Sequence, residues 1–142
     1  MRRYLIVAHQ TLGGSHLLEE VVRRRDADGG RCSFHILVPV HHPSGAWSDG
    51  SADAAAQSVV AEGIALFAAH GIDATGEVGD ANPVYAVETL LRLGQHYDEI
   101  LLSTLPPGPS RWLHLDVPAR MRKAVDIDIP ITHLISQHET SS

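Results

Sequence analysis

The sequence predicts an α/β fold: one doubly wound domain in which a five-stranded, mostly parallel sheet lies between two layers of helices. Two patterns alternate along the 142 residues: short aliphatic or β-branched runs, and longer segments whose apolar residues recur every three or four positions. They follow the order β-α-β-α-β-α-β-α-β, and the length suits a single core. We expect the domain to span residues 1–136 and residues 137–142 to form a flexible C-terminal tail.

The first strand and helix are predicted from the N-terminal segment. The run Tyr4–Ala8 is apolar on both faces, which is typical of a central parallel strand. Ser15 is expected to cap the helix that follows, and Gly29-Gly30 to end it. The triple Arg23-Arg24-Arg25 falls in the last turn, where cations complement the helix dipole, so we interpret it as a solvated face.

The middle of the chain predicts two strands around a helix. Residues 34–38 form the second strand, and the polar segment Pro39–Asp53 connects it to a helix that ends at His70-Gly71. Apolar and polar residues alternate from Ile72 to Val78, which indicates a strand with one exposed face at a sheet edge.

The last third of the chain contains two further helix and strand pairs. Asn82-Pro83 predicts a capped third helix, and Ile100–Leu102 the fourth strand. Asp116 is expected to cap a short fourth helix that runs to about Val125. Pro130–Ile135 is predicted as the last strand.

Composition and charge exclude several function classes. Eleven basic against seventeen acidic residues give a formal charge of −6, which disfavours binding to a nucleic-acid backbone. The single cysteine, Cys32, allows no intramolecular disulfide and no cysteine-based zinc site. The N-terminal apolar run ends at His9-Gln10, too early for a signal peptide, and no later run reaches membrane-helix length. We therefore expect a cytoplasmic protein with no membrane or nucleic-acid partner.

Several segments resemble the universal stress protein family. They are the turn Val78-Gly79-Asp80, Pro83 and Ala86 at the start of a helix, the strand Asp98–Leu102, and the final Pro130–Ile135. The resemblance implies a Rossmann-like domain of the adenine nucleotide alpha hydrolase type, with strand order 3-2-1-4-5 and four helices. It also implies a homodimer.

The dimer is expected to form through the last strand. This strand alternates apolar residues along an expected sheet edge, and such an edge favours pairing with a two-fold mate. The residues expected at the interface are Ile131, His133, Leu134 and Ile135.

The segments with which ATP-binding members of this family hold nucleotide differ here. His9-Gln10 replaces an aspartate after the first strand, and the proline-rich Ser103–Arg111 replaces a glycine loop after the fourth. Prolines offer no N–H to a phosphate, and Asp116 adds negative charge near the expected phosphate position. We therefore expect no ATP binding in the family's standard pose, and no cofactor is assigned with certainty.

Two functions remain as the main hypotheses. The first is a universal-stress-protein-like regulatory or binding module that is not an enzyme and acts on a protein partner. The second is a protein that binds ATP or another adenine nucleotide in an altered pocket at the carboxyl ends of strands one and four. The candidate ligand-binding residues are Ala8, His9, Gly13, Ser15, Val38, Val40, Ser103, Thr104, Gly108, Ser110 and Arg111.

Other chemistry has little support in the sequence. A hydrolase or transferase is a third hypothesis, but no Walker lysine or nucleophile elbow occurs. Ten histidines are present without a metal-binding spacing, so we expect no metal and interpret His35, His70 and His96 as satisfied or solvated. Trp112, beside Arg111, either stacks on a base or anchors its loop.

Overall fold

A computed structural model describes residues 2–8, 14–40, 51–104, 112, 116–125 and 128–135. Within these residues, five strands form one sheet in the order β3-β2-β1-β4-β5, and all four neighbouring pairs are parallel. The α/β fold class, the strand order and the four helices are thereby confirmed, while the expected C-terminal tail lies outside the described residues. The elements are β1 (Arg2–Val7), α1 (Ser15–Ala27), β2 (Cys32–Pro39), α2 (Ser51–Ala69), β3 (Ala74–Gly79), α3 (Pro83–Arg92), β4 (Glu99–Thr104), α4 (Val117–Ala124) and β5 (Ile131–Ile135).

The central strand β1 is apolar on both faces because helices cover it on both sides. Val7 pairs with Leu37 of β2 on one side and with Leu102 of β4 on the other. All three side chains are buried. This burial is the reason that the sequence of β1 lacks the alternation seen in exposed strands.

Two apolar clusters lie on the two faces of the sheet. The first lies between the sheet and the helices α1 and α2, and the second between the sheet and the helices α3 and α4. The first contains Tyr4, Ile6, Leu17, Val21, Ile36, Val60, Phe67, Leu101 and Leu134, among others. The second contains Leu5, Val7, Leu37, Val87, Leu90, Tyr97, Ile100, Leu102 and Met121, among others.

The edge strand β3 confirms the predicted alternation. Thr75 and Glu77 are exposed, whereas Ala74 and Gly76 face the helix α2 and are partly buried. A Cβ atom at Gly76 would lie 2.7 Å from Val60 Cγ1 of α2. The glycine therefore permits the helix to pack closely on the edge strand.

One predicted helix cap is confirmed, one is wrong, and the third has the predicted position but makes no capping hydrogen bond. Asn82 Oδ1 accepts hydrogen bonds from the backbone N–H groups of Val84 and Tyr85, at 3.0 and 3.3 Å. Gly14, not Ser15, is the N-cap of α1, because Gly14 adopts the extended conformation and Ser15 is already helical. Asp116 occupies the N-cap of α4, but its side chain makes no capping bond. Asp116 has a left-handed backbone (φ 57°), and the proline in the first turn of α4 removes an N–H that a cap would bind.

The prediction of a solvated arginine triple is correct only for Arg23, whose side chain is 71% exposed. The Arg24 side chain is 19% exposed and pairs with Glu99 of β4. Arg25 Nη1 donates a hydrogen bond to the carbonyl oxygen of His70, which follows α2. The dipole of α1 explains a basic last turn, but two of the three arginines instead contact other elements of the fold.

None of the described helices combines the length and the apolar character that crossing a membrane requires.

Candidate functional site

The strand order reverses between β1 and β4, and the reversal defines the expected ligand site. From β1 the chain proceeds outward through β2 to β3, and it then crosses to β4 and proceeds outward to β5 on the other side. Connections that leave neighbouring strands in opposite directions open a crevice at the carboxyl edge of the sheet. The candidate site is therefore the carboxyl edge at β1 and β4.

Three apolar candidate residues lie at this edge and are buried: Ala8, Val38 and Val40. Ala8 follows β1, and its N–H donates to the carbonyl oxygen of Leu37 at 3.3 Å. Val40 follows β2, and its N–H donates a hydrogen bond to the carbonyl oxygen of Gly79 at 3.0 Å. Val38 is the neighbour of Ala8 in the apolar cluster under α1 and α2. These three residues extend the apolar core to the carboxyl edge.

The end of β4 contributes two hydroxyl groups to the same edge. Ser103 and Thr104 are the last residues of β4, and each is 2% exposed. Alternate residues of a strand share a face of the sheet. Ser103 therefore lies on the face of Leu101, which packs under α1 and α2, and Thr104 lies on the opposite face with Leu102. The two hydroxyl groups therefore belong to different faces of the sheet.

The remaining candidate residues have a more limited description. Ser15 is the first residue of α1, as the order of elements requires. His9, Gly13, Gly108, Ser110 and Arg111 lie outside the described residues, as does most of the connection between β2 and α2. Among the described residues, six candidates therefore lie at the carboxyl edge of the sheet: Ala8, Ser15, Val38, Val40, Ser103 and Thr104.

The N-terminus of α1 gives this edge a favourable potential for anions. Gly14 precedes the helix, and the first turn contains no acidic side chain. The partial positive charge of the helix end is therefore not neutralised within that turn. An anionic group placed near this end would be stabilised by the helix dipole.

Thr104 forms a cross-strand contact that no local sequence pattern indicates. Its Oγ1 lies 2.8 Å from Nε2 of His133 in β5. Leu102 is the residue directly opposite His133, so Thr104 is the diagonal neighbour of the histidine on the same face. A parallel register between β4 and β5, had it been drawn from the sequence, would have brought these two residues together. Burial, and then the positive charge of Arg122, lowers the pKa of His133 below its ordinary value.

Trp112 packs partly buried against the apolar cluster of α3 and α4. Of the two alternatives that the sequence left open, this contact supports the anchoring role. Of the adjacent residues Arg111 and Trp112, only Arg111 therefore stays a candidate for ligand binding.

Among the described residues, an ionic network lies away from the candidate site, where β4 and β5 begin. Arg24 Nη2 lies 2.7 Å from Glu99 Oε2, and Arg24 Nη1 also pairs with Glu20. The Thr132 hydroxyl donates to the same Glu99 carboxylate. Burial raises the pKa of Glu99, but the hydrogen bonds from Arg24 and Thr132 and the arginine charge outweigh burial and lower it. No local sequence pattern indicates this network.

Other polar groups near the amino edge are also paired. The Asp98 carboxylate accepts a hydrogen bond from the backbone N–H of Arg3 at 2.7 Å, which lowers the pKa of Asp98. The Tyr4 hydroxyl lies 2.5 Å from Asp28 Oδ2. Burial raises the pKa of the Cys32 thiol, so this residue lacks the low pKa of a nucleophilic cysteine.

The histidines interpreted as satisfied have partners in the structure. His35 Nδ1 lies 2.7 Å from the Thr75 hydroxyl, and His70 Nδ1 lies 3.0 Å from the carbonyl oxygen of Leu66. His96 is exposed beside Asp98. Among the described residues, no three histidine, cysteine, aspartate or glutamate side chains cluster as a metal site would need.

Comparison with known proteins identifies the fold. No family model matches the sequence, and no curated protein matches it at a significant level. A universal stress protein from Archaeoglobus fulgidus has a similar structure, with a TM-score of 0.64 and 9% identity over 94% of this chain and 93% of that one. A universal stress protein family member from Arabidopsis thaliana with AMP bound gives a TM-score of 0.68 at 7% identity, covering 100% and 96% of the two chains. A protein of this family from Burkholderia pseudomallei gives a TM-score of 0.58 at 14% identity, covering 93% and 94%. The predicted resemblance is thus confirmed at the level of the fold.

Proposed function

We propose that this protein is a universal-stress-protein-like regulatory module that binds a small ligand at the carboxyl ends of β1 and β4 without turning it over. The observation that carries the proposal is the shared fold, because the likeness extends over nearly the whole chain and includes the reversal of strand order. The anion-favouring end of α1 at the same edge is consistent with a binding site.

The proposed absence of turnover rests on where the two described carboxylates with shifted pKa values lie. Glu99 and Asp98, whose pKa values are shifted, sit where β4 begins and are paired with Arg24 and Arg3. Their separation from the carboxyl edge favours structural roles over acid–base catalysis. A domain that binds a ligand without turnover would serve a regulatory role, and its proposed partner is another protein.

The proposed binding mode departs from the family's standard one in the segment between β4 and α4. This segment contains Pro106, Pro107 and Pro109, which have no N–H to donate to a phosphate. Asp116 begins α4 with an exposed carboxylate, which would repel a phosphate nearby. Phosphate contacts would therefore come from the start of α1 and from Arg111.

An adenine nucleotide in this altered pocket is the proposed ligand. The favouring observation is that the Arabidopsis thaliana structure with a TM-score of 0.68 holds AMP. Ala8, His9, Val38 and Val40 would surround the base. The residues proposed toward the ribose and phosphates are Gly13, Ser15, Ser103, Thr104, Gly108, Ser110 and Arg111.

Native mass spectrometry of the freshly purified chain tests both parts of this proposal. Spectra with AMP, with adenosine and with ATP plus magnesium should each show one ligand bound per subunit, and chromatography of the incubated ligands should show no product. Release of product would overturn the absence of turnover. A chain that retains its fold by circular dichroism and binds none of these ligands would overturn the proposal that the ligand is an adenine nucleotide.

We also propose a cytoplasmic homodimer that pairs through β5. This strand is at the edge of the sheet, and Ile135 is 43% exposed there. Ile131 and His133 are half-buried in the single chain, which leaves surface for a second copy to cover. Leu134 is 7% exposed and belongs to the core under α1, so it contributes to folding more than to a dimer.

A further inference from the structure

The contact between Thr104 and His133 joins the candidate ligand site to the edge strand. Thr104 ends β4 at the proposed pocket, and its hydroxyl oxygen lies 2.8 Å from His133 Nε2 in β5. We propose that His133 is a positioning residue that sets whether the Thr104 hydroxyl accepts or donates a hydrogen bond toward the ligand. This inference rests on the proposed binding of a nucleotide at this edge, and it adds a proton-dependent selectivity to that site.

The two side chains are held in place from both sides of the sheet. Thr104 is 2% exposed, so water competes little for its hydroxyl. On the opposite face, the Thr132 hydroxyl donates to Glu99 and provides a second cross-strand contact between β5 and β4. The imidazole is therefore presented to Thr104 by a strand whose position is fixed at two points.

Whether His133 Nε2 carries a proton decides what the Thr104 hydroxyl offers, and the proposed switch requires the neutral imidazole to be the Nδ1–H tautomer. When neutral imidazole carries its proton on Nδ1, Nε2 accepts the hydroxyl proton and the Thr104 oxygen retains only lone pairs. It then suits a ligand donor such as a ribose hydroxyl. When the imidazole is protonated, Nε2–H donates to the Thr104 oxygen and the hydroxyl proton is free for an acceptor. A phosphate oxygen is such an acceptor, and it also gains from the added positive charge.

The surroundings of His133 set the direction of the effect with pH. Arg122 of α4 is the charged group whose field acts on the imidazole among the described residues, whereas Leu102 and Thr104 of β4 bring no charge. Burial and this arginine favour neutral imidazole at pH 7. Acidification should therefore shift the preference of the site from a sugar hydroxyl toward a phosphate. By linkage, a bound phosphate should raise the pKa of His133.

Calorimetric titration with adenosine and with AMP at pH 7.5 and 5.5 tests this selectivity on the full chain. We expect the ratio of AMP affinity to adenosine affinity to rise about 3- to 10-fold on acidification, the size of one hydrogen bond. The same series with Thr104→Val, which keeps the shape but removes the hydroxyl, corrects for titration of the AMP phosphate, whose second pKa is about 6. His133→Gln retains a side chain that hydrogen-bonds but does not titrate, so it should behave as Thr104→Val does with pH.

The outcomes separate this inference from the function on which it rests. Equal pH dependence in the native chain and in Thr104→Val, with both ligands bound, would overturn the role of His133 and leave the binding function intact. A folded native chain that binds neither ligand at either pH would overturn both proposals. Nitrogen-15 NMR of the His133 ring needs no variant: its pKa should rise when AMP is added, and an unchanged value in the AMP complex would contradict the inference.

Discussion

Arg24 in the last turns of α1 and Glu99 at the start of β4 form a two-point ion pair across 75 positions of sequence. Arg24 Nε lies 3.2 Å from Glu99 Oε1, and Nη2 lies 2.7 Å from Oε2. The Thr132 hydroxyl of β5 donates to the same carboxylate. One buried carboxylate therefore joins a helix and two strands, and it holds the edge strand in register with β4.

Replacing Glu99 with glutamine should destabilise the domain, because it leaves Arg24 partly buried and without its anionic partner. For a pair with this partial exposure we expect a loss of roughly 2–3 kcal/mol in the free energy of unfolding. Urea denaturation followed by circular dichroism measures it.

Arg23→Gln is a matched control because Arg23 also forms an ion pair on α1, but its side chain is 71% exposed. Its effect should stay within about 0.5 kcal/mol of zero. A Glu99→Gln variant as stable as this control would show that the buried pair contributes no net stability.

The same carboxylate should make the domain sensitive to acid. The folded-state pKa of Glu99 lies below the ordinary value of 4.5, so in acid the unfolded chain binds more protons at this position. The stability contributed by Glu99 is complete above pH 4.5 and is lost as the pH falls through the folded-state pKa. Unfolding free energies of the native chain and Glu99→Gln, measured from pH 7 to 3, should therefore converge in acid. A difference that stays constant over this range would contradict the assignment.

The fold could be predicted because its signals are local. The apolar run of β1 and the alternation of β3 state which faces are buried, and Asn82 before Pro83 marks a helix start without reference to the rest of the chain. The incorrect cap at Ser15 and the missing capping bond at Asp116 also concern local signals. They failed because the backbone conformation of the preceding or capping residue decides whether a side chain reaches the helical N–H groups.

Local sequence signals could not predict the ionic network around Glu99 or the contact between Thr104 and His133. The helix dipole alone explains an arginine at position 24, in the last turns of α1. Nothing in the local sequence shows that α1 passes over Glu99. The sequence alone predicts different roles for the two residues, ligand binding for Thr104 and a dimer edge for His133. Only the register of β4 against β5 brings them within hydrogen-bonding distance.

The proposed dimer predicts that a charge at Ile135 separates the subunits. Ile135 is the exposed end of the edge strand, and Ile135→Lys would place a hydrated charge from each subunit in the proposed apolar interface. Analytical ultracentrifugation should show a dimer for the native chain and a monomer for this variant. Leu93→Lys, at an exposed apolar position after α3, is the control and should remain dimeric. A dimeric Ile135→Lys variant would move the interface away from the end of β5.

The proposed phosphate contact predicts that Arg111→Ala weakens AMP binding. Hydrogen bonds to charged groups contribute roughly 1.5–3 kcal/mol, so we expect the Kd to rise by about tenfold or more. Adenosine lacks the phosphate, and its affinity should change little in the same variant. Arg23→Ala removes an exposed arginine at the far end of α1 from the site and should leave both ligands unaffected. Because this control matches the loss of one positive charge, a selective loss of AMP affinity in Arg111→Ala would reflect a direct contact and not the net charge of the protein. Equal AMP affinity in the two variants would remove Arg111 from the site and leave the N-terminus of α1 as the proposed source of phosphate binding.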